Sequence, residues 1–135
     1  MKKRLPSELR ESLSAALRRI PDVEIAVVYG SAAQGRLRPD SDIDIGIAGR
    51  ERFEPERLVD ISLQLVRRIH REIDIIDLRT TRGLVFYEAL TKGVVLLADN
   101  RQLMADLMKE AVYYGADFLP AVRTLLRKRT GVADA

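Results

Sequence analysis

Apolar residues follow two rhythms along this chain, a helical one and a strand-like one, and the switches between them mark its elements. Leu9, Leu13, Ala16, Leu17 and Ile20 recur every three or four positions, which predicts a helix opening at Pro6 or Ser7 and stopped by Pro21. Val23 to Tyr29 is apolar almost throughout, as expected for a central strand covered on both faces. From Asp42 to Ala48 the pattern alternates, with Ile43, Ile45 and Ile47 on one side and Asp42 and Asp44 on the other. Helical spacing returns at Leu58, Ile61, Leu65, Val66 and Ile69, in a helix opening around Pro55. A short strand, Glu72 to Leu78, carries acids within it. A helix from Arg82 to Thr91 follows, with Gly93 as its left-handed cap, and then a fourth strand from Val94 to Ala98.

Asp99 or Asn100 caps the last helical region, where Leu103, Leu107, Ala111, Tyr114, Phe118, Val122 and Leu125 stand at near-heptad spacing and Pro120 should kink or break the helix. That seam is read as closing the core; the alternative is that its part beyond Pro120 docks a partner chain. Strands alternating with helices predict an α/β layered domain. At 135 residues, with no repeat or linker, one domain over 1–135 is expected, its helical tail at about 100–130.

The densest chemistry lies where the first strand stops. Gly30-Ser31 forms a turn whose N–H groups and hydroxyl are suited to an anion. Ten residues later come Asp42 and Asp44, two apart on a strand and so on one face. Paired carboxylates beside a phosphate-gripping turn suit a divalent cation bridging protein and polyphosphate. Asp-x-Asp alone is common, and an acidic solvent face of a hairpin is the bland alternative; the coupling to Gly-Ser and to the isoleucine alternation favours chemistry.

An acid on a buried strand is costly unless paired, hydrogen-bonded or metal-bound. Asp74 lies between Ile73 and Ile75; if those face the core helices, Asp74 joins Asp42 and Asp44 as a third carboxylate able to take a proton from an incoming hydroxyl. The alternative is an edge-strand acid in solvent. Asp77 has the opposite parity and reads as a turn or cap residue. Arg36 and Arg38, in the turn-rich loop, are candidates for neutralising departing pyrophosphate, a solvated loop being the alternative. His70 reads as a surface residue without a catalytic role.

Composition narrows the chemistry. Without cysteine and with a single histidine, thiolate and multi-histidine metal sites within one chain are excluded, so a metal would be hard and oxygen-ligated: Mg²⁺, with Mn²⁺ as substitute. Hydrophobic residues make up 47% and charged residues 32%, a globular balance, and the net charge of +3 suits an anionic partner without identifying one. The Arg127-Lys128-Arg129 run reads as a solvated helix end. The basic start, Met1 to Arg4, leads into no apolar targeting segment, and no stretch is long enough to span a membrane, so a cytoplasmic protein is expected.

Gly30-Ser31, the ten-residue spacing, Asp42-x-Asp44, and Asp74 within Ile73-Asp74-Ile75-Ile76-Asp77-Leu78 resemble the DNA polymerase β-like nucleotidyltransferase superfamily, and the short chain resembles its minimal nucleotidyltransferases of the antitoxin type. Phe86 to Leu90 followed by Gly93 to Leu97 extends the likeness over nearly the whole chain. The resemblance implies an α+β fold with a mixed sheet flanked by helices. It implies transfer of AMP from ATP, with two Mg²⁺ ions, to a tyrosine of a cognate HEPN-domain RNase toxin, which also forms a complex with the antitoxin. By position, Gly30 and Ser31 bind nucleotide phosphates, and Asp42, Asp44 and Asp74 are both metal-binding and catalytic; the family has no clear counterpart for Arg36 or Arg38, and Arg36 is a nucleotide-binding candidate from its place in the loop alone. A small-molecule acceptor, as in aminoglycoside resistance, fits less well, because only about 35 residues follow the last strand. A degenerate module that blocks its toxin by contact is a third possibility. Direct nucleic-acid binding is not expected, with four Tyr, three Phe and no Trp to stack bases.

Overall fold

A computed structural model describes residues 5–130, together with all their side chains except those of Val122 and Thr130. Met1 to Arg4 and the side chain of Val122 lie outside the described residues. Four strands form one mixed sheet in the order β3-β2-β1-β4. β1 (Ile25–Tyr29) pairs antiparallel with β2 (Ile43–Ala48) and with β4 (Val94–Ala98), whereas β2 and β3 (Ile73–Asp77) run parallel. The parallel pair needs a crossover, and helix α2 (Pro55–Ile69) supplies it.

Each sheet face has its own apolar layer. Ala26, Val28, Ile43, Ile45, Ile47 and Ile73 pack with Leu13 and Leu17 of α1 (Ser7–Arg18) and with Ile61 and Leu65 of α2. On the other face, Ile25, Val27 and Ala48 pack with Phe86 and Leu90 of α3 (Leu84–Lys92) and with Leu103, Leu107 and Ala111 of α4 (Arg101–Asp117). This double coverage explains why central β1 is apolar at successive positions. Asn100 caps α4 by accepting the Leu103 N–H at 3.0 Å.

The helical tail divides where Pro120 suggested. α4 ends at Asp117, and α5 (Leu119–Thr130) takes Pro120 in its first turn, where a missing N–H is tolerated. The seam is buried only as far as Ala111; Tyr114 is half-buried, and Phe118 and Leu125 are 60% and 59% exposed, which corrects the reading of one continuous core stripe. The Arg127-Lys128-Arg129 run is exposed in the last turn of α5.

One cap differs from expectation. Gly93 is extended (φ −74°, ψ 165°), not left-handed. A Cβ there would lie 2.3 Å from the Ala89 carbonyl oxygen and 2.9 Å from that of Val28, so close backbone approach requires the glycine. His70, at the end of α2, takes the left-handed conformation (φ 59°), its N–H bonding Val66 O at 2.8 Å.

Candidate active site

The first strand delivers the chain into a tight bend. Gly30 (φ +73°) turns it away from the sheet, and Gly35 (φ +74°) releases it. Between them Gln34 N–H bonds the Gly30 and Ser31 carbonyls at 3.2 and 3.1 Å, and Arg36 N–H bonds Ser31 O at 2.9 Å. Ala32 and Ala33 are buried, anchoring the bend in the core while Ser31 stays half-exposed. Arg36 and Arg38 follow with both side chains exposed.

Strand register then gathers the acids. Tyr29 stands opposite Asp44 on the antiparallel side, and Asp74 stands opposite Asp44 on the parallel side. Tyr29, Asp44 and Asp74 therefore form a row across three strands on one face, with Ile73 and Ile75 turned to the other. Asp42 lies one residue before β2, not within it as the alternation suggested, and is exposed. The bend and the row touch: a Cβ on Gly30 would sit 2.6 Å from Asp44 Oδ2. Glycine at position 30 thus serves both the backbone turn and the close approach of a carboxylate.

Crowding leaves an electrostatic mark. Burial pushes the Asp44 carboxyl above the ordinary carboxylate range, and neighbouring Asp74 and then Asp42 push it further the same way. Burial, with Asp44 and Asp74 nearby, raises the Tyr29 phenol to about 12. The carboxylates gathered around half-buried Asp44 form a set whose crowding a hard divalent cation would relieve. Among the described residues no three acidic or histidine side chains close into a metal cage. The donors fit an open site whose remaining ligands come from phosphate oxygens or water, as is usual for Mg²⁺.

Asp77 is the counterexample on the same strand. It is 3% exposed, its carboxylate accepting the Phe53 N–H at 2.8 Å and the Arg79 N–H at 2.9 Å, so it caps the strand end as its parity indicated. His70 is exposed, in keeping with a surface residue. Tyr29 was missed as a site residue; the antiparallel register of β1 and β2 is the signal that would have found it.

A mixed sheet that brings a Gly-Ser bend against paired strand-end carboxylates defines a nucleotidyltransferase core of the polymerase β type. The chain belongs to the family described as Polymerase beta, Nucleotidyltransferase, whose profile matches residues 11–102. It is 24% identical over 74 residues to the protein adenylyltransferase MntA of Shewanella oneidensis, a match covering 55% of this chain and 53% of that protein. The matched region thus spans about half the length of that curated relative. In fold, the chain is similar to a toxin–antitoxin crystal structure with AMP-PNP, at TM-score 0.75 and 18% identity over 90% of this chain and 98% of the other. It is also similar to a chain of the complex between tri-AMPylated Shewanella oneidensis HEPN toxin and MNT antitoxin, at TM-score 0.69 and 15% identity over 91% and 97% of the two chains. Among the described residues no helix is long and apolar enough to cross a membrane.

Proposed function

We propose that this chain is a single-domain antitoxin nucleotidyltransferase of the cytoplasm that transfers AMP from ATP to a tyrosine hydroxyl of a cognate HEPN-domain toxin and thereby silences it. The observation that carries the reading is the direct approach of Asp44 to Gly30, which couples the phosphate bend to the carboxylate row. Backbone N–H groups of the bend and the Ser31 hydroxyl hold the outer phosphates, with Arg36 at the exit of the bend. Asp42 and Asp44 hold the cation, and Asp74, the exposed member of the row, accepts the proton of the incoming phenol. Magnesium, when bound, would neutralise the polyphosphate and make the acceptor hydroxyl a better nucleophile. A bond forms between the phenolic oxygen and the α-phosphorus, the α–β phosphoanhydride breaks, and pyrophosphate leaves.

A protein acceptor is supported by the outer face of α4 and α5. Val112 and Tyr113 of α4, Phe118 at the junction, and Leu125 and Leu126 of α5 are each at least half exposed, large apolar side chains of the kind that partner surfaces cover. An apolar groove of about 400 Å³ lies beside them, lined by Phe86, Tyr113, Tyr114 and Phe118. The same surface favours a second reading, inhibition by contact. The test is the intact mass of a co-expressed HEPN toxin incubated with ATP and Mg²⁺. An increment of one or more AMP units is expected; no increment, with toxicity still suppressed, would leave contact as the mechanism.

A further inference from the structure

Arg71 belongs to neither catalytic strand, yet it ties together the two segments that lead into them. It precedes β3 by two residues, and its guanidinium donates to the carbonyl oxygen of Arg38 and, at 2.9 Å, to that of Ser41. Those carbonyls belong to a closed turn, in which Ser41 N–H bonds Arg38 O at 3.0 Å and Arg38 N–H bonds Ser41 Oγ at 3.1 Å. Ser41 is the residue immediately before Asp42. Immediately afterwards the parallel ladder begins, Ile43 N–H bonding Glu72 O at 2.9 Å.

We propose that Arg71 is a positioning residue that sets where Asp42 stands relative to the Asp74 strand, by gripping the turn that delivers Asp42. Asp44 and Asp74 need no such help, because strand register fixes both. Asp42 lies outside the ladder and is exposed, so its place depends on the turn behind it. Both Arg71 bonds come from Nη2, so one nitrogen of the guanidinium makes charge-assisted bonds to the two carbonyls at once. Arg71 Nε is buried and makes no hydrogen bond among the described residues, so the guanidinium is held through Nη2.

The inference rests on the nucleotidyltransferase reading only in treating Asp42 as a cation ligand. Its test is amide hydrogen exchange of residues 38–42 in Arg71→Ala, Arg71→Lys and the wild type, paired with Mn²⁺ titration in the presence of AMP-PNP. Arg71→Ala is expected to lose about tenfold protection at the Ser41 amide, a loss confined to this turn, and to bind Mn²⁺ about tenfold more weakly. Arg71→Lys should recover part of both. Should Arg71→Ala lose protection throughout the sheet, Arg71→Lys decides, through exchange at residues 38–42 alone. Unchanged exchange at Ser41 would overturn the clamp, and so would a loosened turn with Mn²⁺ affinity within twofold of wild type. A wild type that binds no Mn²⁺ would sink the metal assignment instead, and exchange alone would then decide the clamp.

Discussion

Asp74 and Asp77 stand three residues apart on one short strand and have opposite fates. Asp77 points into the α1–α2 side of the sheet, is nearly inaccessible, and has two backbone N–H groups on its oxygens. Asp74 points the other way, is exposed, and faces the half-buried carboxylate of Asp44. One acid is satisfied by the fold; the other adds to a cluster that the fold leaves repulsive. The contrast separates a structural carboxylate from a working one: the first comes with its donors, the second waits for a cation.

Neutralising the working pair should have the largest effect. Asp42→Asn with Asp44→Asn should lower AMP transfer about a thousandfold or more, read as AMP incorporation into the toxin. The same variant should melt no lower than wild type. Because the folded-state value of Asp44 is raised, its ionisation costs stability as pH climbs from the ordinary carboxylate value through the raised one. Removing that charge should therefore lift the melting temperature at neutral pH, and a clear fall would mean that Asp44 is structural after all.

Asp77→Ala should do the reverse. Leaving the Phe53 and Arg79 N–H groups without their acceptor should cost about 2 kcal/mol in urea unfolding, with transfer per folded molecule nearly intact. Gly30→Ala sharpens the boundary between the two roles. A Cβ at φ +73° and 2.6 Å from Asp44 Oδ2 should cost about 1 kcal/mol of stability and weaken ATP-analogue binding by a larger factor, measured by calorimetry.

The smallest effect belongs to a pair far from the acids. Arg57 grips Asp22 through two bonds of 2.8 and 2.7 Å and holds its carboxyl below the ordinary range. That stability is present above the ordinary carboxylate value and is lost as pH falls through the lowered one. Both side chains are partly solvated, so Asp22→Asn should remove only about 0.5 kcal/mol at neutral pH, and progressively less in acid.

Much of this was legible in the chain. Isoleucine alternation placed Asp44, and the flanking isoleucines gave Asp74 its face, because strand parity is a local property. Pro120 located the division between α4 and α5 for an equally local reason. What stayed hidden depends on long-range pairing. The pairing of Tyr29 with Asp44 follows from antiparallel register, and the Arg71 grip joins residues 30 or more positions apart. Gly93 was assigned the wrong reason because its constraint is the Val28 carbonyl across the sheet as well as its own helix. The apolar stripe of α4 and α5 was misread past Tyr114 because periodicity marks a face without saying what meets it.

The parallel pairing of β2 with β3 makes the site a matter of counting. A slip of β3 by one residue against β2 would send an isoleucine to the place of Asp74 and the acid into the apolar layer.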